Sequence, residues 1–253
     1  MSDYQFTTPR PVGLKVSIPA GRIVVDTVDG GESTIVVDGD ERLVAETTVE
    51  QRGDEIVVDF HGKRGFWGIN ISIGDFSLGG GTLTVRASVP HASKARLNGA
   101  SADMTVGGRL ASLDVKTVSG DLRATGEIDG PTAVKTVSGD VDVERVGGEL
   151  RVQSVSGDVT AKSVGGSLVA KSVSGDLRIE SISEGHAEAT SISGDVEIGI
   201  AVGSAVDVDA NSVSGDLASE VPLADAPVDN GGGPTVVVRG KTVSGDFRVF
   251  RAA

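Results

Sequence analysis

The chain has 253 residues, 36 of them acidic and 23 basic, and a formal net charge of −13. A molecule this acidic is repelled by nucleic-acid phosphates and anionic lipid, and none of its apolar runs approaches the ~18–20 residues of a membrane span, so neither partner is expected. It has no cysteine, which excludes disulfides, thiolate metal sites and cysteine nucleophiles.

The chain opens MSDYQFTTPRPVG. This has neither a basic leading stretch nor an apolar core, so no secretory signal is predicted and a cytoplasmic location is expected. Short alternating runs then predict strands at Leu14–Ile18, Arg22–Asp26, Thr34–Val37, Glu55–Phe60, Ile69–Ile73 and Leu83–Val89. Residues 1–95 are expected to form an antiparallel β region. Most rings lie here: Tyr4, Phe6, Phe60, Phe66, Trp67 and Phe76. Within this region, His61–Gly81 carries seven glycines. Its Lys63, Arg64, Phe66 and Trp67 are the expected partner contact if the loop is exposed, because tryptophan anchors binding hot spots. The alternative packs the rings against the end of the adjoining structure.

From Ser77 to Asp246 there is no aromatic residue at all. That stretch is instead governed by a repeat. One hexapeptide recurs seven times: TVSGDL from Thr117, TVSGDV from Thr136, SVSGDV from Ser154, SVSGDL from Ser172, SISGDV from Ser191, SVSGDL from Ser212 and TVSGDF from Thr242. A degenerate copy begins at Gly99, and the aspartates fall at steps of 18, 19, 18, 18, 19, 21 and 30. Within each period, Leu150, Val152 and Val155 are echoed nine residues on by Val159, Ala161 and Val164, with polar residues between. Period-2 alternation punctuated by Ser-Gly-Asp and Gly-Gly predicts two short strands and two corners per coil.

The predicted fold is therefore all-β. It is a parallel β-solenoid of about eight 18–19-residue coils over residues 96–253, preceded by the antiparallel region, which caps the first coil. At ~4.8 Å per coil such a rod is roughly 35–40 Å long. Three details follow. Val155, Val173 and Ile192 are expected in one inward column, so Val173→Asp would bury a charge. Residues 221–234 are expected to be a loop insertion at one corner. Phe247, Val249 and Phe250 are expected to cap the far end.

The SxSGD run, preceded by the strand LTVRASVP (Leu83–Pro90), closely resembles a bacterial β-strand-repeat family of unknown function labelled putative adhesin, with a toastrack-type domain. The resemblance spans about Phe6 to Phe250 and implies the fold. It transfers no catalytic residue. Relatives beside envelope-stress membrane proteins imply a sensing or scaffolding role.

The chemistry of the repeats points the same way. A triad needs a positioned base, and His61, His91 and His186 do not recur with the Ser-Gly-Asp motif. No catalytic, cofactor or metal residue is therefore expected, and the aspartates are expected to accept backbone N–H bonds in their own turns. Stacked aspartates also suggest a calcium-bridged roll, although known rolls read GGxGxDxUx. Lys116, Lys135, Lys171 and Lys241 share the position before the motif, broken by Gln153, Thr190 and Asn211, and read as a solvated face offsetting the acids. The expected function is a non-enzymatic scaffold or interaction module with an unknown protein partner, monomeric or weakly self-associating. A calcium-stabilised roll and a self-assembling rod are the alternatives.

Overall fold

The computed structural model describes residues 1–61, 82–221 and 234–252. Its first part holds β1 (Ser2–Thr7), β2 (Gly13–Val28), β3 (Glu32–Gly39), a one-turn helix α1 (Glu41–Ala45), β4 (Thr47–Arg52), β5 (Glu55–Phe60), β6 (Leu83–Pro90) and β7 (Ser93–Val106). The repeats supply β8 (Arg109–Lys116), β9 (Leu122–Ile128), β10 (Thr132–Lys135), β11 (Val141–Val146), β12 (Leu150–Gln153), β13 (Val159–Val164) and β14 (Leu168–Lys171). They continue as β15 (Leu177–Ile182), β16 (Gly185–Ser193), β17 (Val196–Ile200), β18 (Ala205–Ser214), β19 (Leu217–Ser219), β20 (Thr235–Ser244) and β21 (Phe247–Arg251).

Two faces are built from these strands. One runs β7, β8, β10, β12, β14, β16, β20, β18, and the other β7, β9, β11, β13, β15, β17, β21, β19, all parallel. Similar coils stack in register, so equivalent positions form columns. Leu113, Thr132, Leu150, Leu168, Ala187 and Val238 make one, and Leu122, Val141, Val159, Leu177, Val196 and Phe247 another. All twelve are buried. This is the aliphatic interior that the ring-free composition implied.

The antiparallel region is present: β1 pairs β3, β3 pairs β6, and β4 pairs β5, each antiparallel. Parallel pairing also reaches into it, because β2 lies alongside β7 and, on its other side, alongside β5 and β6. Leu14–Ile18 and Arg22–Asp26 are thus one continuous strand. β1, α1 and β4 had too little alternation to be predicted, while Ile69–Ile73 lies outside the described residues.

The expected end cap is corrected. Phe247 is 1% exposed, and β21 sits between β17 and β19. The chain passes from β17 to β18 and β19, skipping one coil height, and returns to fill the gap with β20 and β21. The step of 30 residues is therefore a step backwards, and the terminal coil is β18–β19. Arg251 fastens the skip by donating to the carbonyls of Ala201 and Ser204 at 3.0 and 2.8 Å.

Candidate interaction surface

The Ser-Gly-Asp corner departs most from expectation. Val155, Val173 and Ile192 do not point inward; they are 45%, 43% and 50% exposed. Their neighbours Ser154, Ser172 and Ser191 are buried instead. The reason is parity. Leu150 and Val152 face inward from β12, and the same alternation carries Ser154 in and Val155 out.

Once inside, that hydroxyl has a task in the first three repeats. Thr117, Thr136 and Ser154 Oγ accept the N–H of Gly120, Gly139 and Gly157 at 3.0, 2.9 and 3.0 Å. From the fourth repeat the turn changes. Gly175, Gly194 and Gly245 adopt φ of +141°, +147° and +139°. They donate instead to carbonyls of the next coil, Ser193, Ser244 and Ser214. Ser172, Ser191 and Thr242 then keep buried hydroxyls without a partner among the described residues. Glycine is required in both forms: a Cβ on Gly139 would lie 2.1 Å from the Gly120 carbonyl oxygen, and one on Gly175 2.5 Å from that of Gly157.

The aspartates also differ from expectation. Each carboxylate but that of Asp216 accepts an N–H from the adjacent coil, not from its own turn. Asp140, Asp158, Asp176 and Asp195 donate their N–H to Asp121, Asp140, Asp158 and Asp176 at 2.9–3.0 Å. Asp246 donates to Asp195, and Asp216 to Asp246. The column is a ladder in which each negative charge meets a backbone dipole. A groove of about 600 Å³ runs beside it, lined by Asp103, Asp121, Asp140 and Asp158 with Arg22 and Arg123.

Across this corner lie parallel rows: the lysine row, the branched aliphatics, exposed serines and the aspartate ladder. The aliphatic row reads Val118, Val137, Val155, Val173, Ile192, Val243 and Val213 in stacking order, with Val213 82% exposed on the terminal coil. It is roughly 30 Å long at ~4.8 Å per coil. The flat faces differ, because they neutralise themselves between coils. Arg96 pairs with Asp114, Arg109 with Asp129, Lys162 with Glu144 and Arg178 with Glu197. Hydrogen bonding to Lys162, reinforced by its charge, holds the Glu144 carboxyl below the usual carboxylate range, and the same bond raises the Lys162 ammonium.

Two histidines make contacts that the sequence did not reveal. His91 Nδ1 is 2.7 Å from Thr27 Oγ1, and its Nε2 is 3.3 Å from Asp29. His61 sits likewise between Thr48 and Asp59, at 3.1 and 3.8 Å. The first has the connectivity of a triad, but Thr27 Oγ1 also accepts the Arg109 N–H at 2.8 Å and Asp29 is fully exposed. It acts as a clasp joining β2, β6 and β8. Lys63, Arg64, Phe66 and Trp67 lie outside the described residues, as does nearly all of 221–234. Among the described residues no group of three or more acidic or histidine side chains is arranged to hold a metal.

Comparison with known proteins agrees with this architecture. No curated protein matches. A structure of a putative lipid binding protein from Parabacteroides distasonis ATCC 8503 is similar, with TM-score 0.62 and 11% identity over 98% of this chain and 96% of that one. A putative adhesin from Bacteroides fragilis NCTC 9343 aligns over the same shares with TM-score 0.48 and 14% identity. At 11% identity the first likeness concerns the fold alone. The Toastrack DUF4097 family model matches residues 67–163 and 146–250, and the chain belongs to that family.

Proposed function

We propose that this toastrack solenoid is a non-enzymatic interaction module whose recognition surface is the Ser-Gly-Asp corner. The observation that carries this reading is the continuous row of exposed branched aliphatics. Six of the ten exposed large hydrophobic side chains among the described residues belong to it: Val137, Val155, Val173, Ile192, Val213 and Val243. Scattered surface apolar residues need no explanation, whereas an aligned patch rimmed by polar rows marks a contact site. None of these six side chains belongs to the buried core. A partner gains a long, stiff, repetitive surface at little ordering cost.

The test is a triple variant, Val155→Ser, Val173→Ser and Ile192→Ser. Its melting temperature should stay close to that of the parent, and proteins captured from the native host by the parent should be lost. Retention of the same captured set would move the contact elsewhere. The first alternative is Lys63–Trp67, which Trp67→Ala would then probe.

A further inference from the structure

The two ends of the rod are finished differently. At the N-terminal end β4 and β1 run antiparallel to their neighbours. There Tyr4, Phe6, Leu43, Val44 and Val49 pack against the core. At the other end the terminal coil has β20 and β21 on one side and, among the described residues, no strand on the other. Val206, Val208 and Ala210 are only partly buried, and Leu217 is 52% exposed. Ala205 N–H bonds to the Pro234 carbonyl on the β20 side. Alternation along the strand therefore turns the N–H and C=O of Val206, Val208 and Ala210 toward the open side. The aspartate ladder stops here too: Asp216 donates its N–H to Asp246, and among the described residues no further coil donates to the Asp216 carboxylate.

Charge says what kind of strand fits. The exposed polar side chains of this coil include Asp207, Asp209, Asp216 and Glu220. On its occupied side they meet a basic coil, with Asp209 opposite Arg239, Asn211 opposite Lys241, and Glu220 ion-paired to Arg248. A second copy docking tail to tail would set aspartates against aspartates, which is unfavourable for directly opposed like charges.

We propose that the open edge of β18 and β19 is a β-addition site for an extended basic segment of a partner protein, alternating apolar residues with lysine or arginine. Its backbone pairs with Val206, Val208 and Ala210, its apolar side chains cover Val208 and Leu217, and its cations lie beside Asp207 and Asp209. Main-chain bonds supply affinity and alternate side chains specificity, as in other strand-addition complexes.

The probe is a labelled synthetic peptide with the sequence of Thr235–Val249, the basic coil already seen on the other side of β18, titrated into the full chain by fluorescence anisotropy. Saturable one-to-one binding is expected. It should weaken at least tenfold when the peptide carries glutamate at the positions of Arg239, Lys241 and Arg248. It should weaken similarly in Val208→Pro protein, which loses an open-side N–H but no bond to β20. Should Val208→Pro not fold, Asp207→Lys gives the charge readout on an exposed residue. No saturable binding, or equal binding of the charge-reversed peptide, overturns the proposal. So does a concentration-dependent dimer in sedimentation that Val208→Pro abolishes, because the edge would then belong to a second copy.

Discussion

Ser154 and Ser191 occupy the same place in the repeat, yet among the described residues only Ser154 Oγ has a partner, the Gly157 N–H. Their removal should therefore differ. Ser154→Ala strands a corner N–H and is expected to cost about 1–2 kcal/mol, whereas Ser191→Ala removes an unsatisfied hydroxyl and should be neutral or stabilising. Chemical denaturation of both variants checks this. The exposed row makes a second contrast. Val173→Asp should leave the melting temperature nearly unchanged, while Ile179→Asp, at a site 1% exposed, should cost several kcal/mol. Equal losses would return Val173 to the interior. The alternation that buries Ser154 was legible from Leu150 and Val152. Chemical type misled at Val155, because a valine beside a serine looks like the inward one, and strand parity overrides that preference.

At the scale of the strand and its corner, the repeat length was legible because each coil must land on the last. A glycine recurs in every Ser-Gly-Asp motif because the preceding coil's carbonyl sits where a Cβ would be. What the spacing could not show is where each aspartate bonds, since stacking brings an N–H 18 or 19 residues away as near in space as one in the same turn. The cross-coil ladder bears on calcium. Carboxylates stacked ~5 Å apart repel, and here a backbone N–H opposes that repulsion at each step from Asp121 to Asp246. EDTA is accordingly expected to leave the thermal midpoint within experimental error. A rise of many degrees on adding millimolar calcium would show a bound ion, because a ligand of the native state must stabilise it.

For the whole molecule, the solenoid was legible; the parallel pairing of β2 with β5, β6 and β7 inside the expected antiparallel region and the order of the last two coils were not. A 30-residue step reads as an insertion whichever coil comes next in space. The one local clue was charge: Arg239, Lys241 and Arg248 complement the acidic run around Asp207, Asp209 and Glu220, and like coils would not sit so comfortably in sequence order. A truncation after Glu220 tests the arrangement. It removes the only strands among the described residues that β18 and β19 pair with, so 205–220 should lose protection from proteolysis while the coils before β17 keep theirs. If the truncated chain kept 205–220 protected, those residues would be stacking directly on β16 and β17.

That reversed order has a consequence for how the chain is made. During synthesis the segment that becomes the outer coil emerges first and finds its place on β16 vacant, but the native seat is one level further out. It can settle there only when residues 235–251 emerge and slide between. β20 and β21 are thus a wedge, held on both sides. Peeling the outer coil away leaves them still clamped on β16 and β17, and freeing them requires two ladders to part together. A solenoid grown by simple tandem duplication unzips from its last residue; this one is bolted one coil in from its tip.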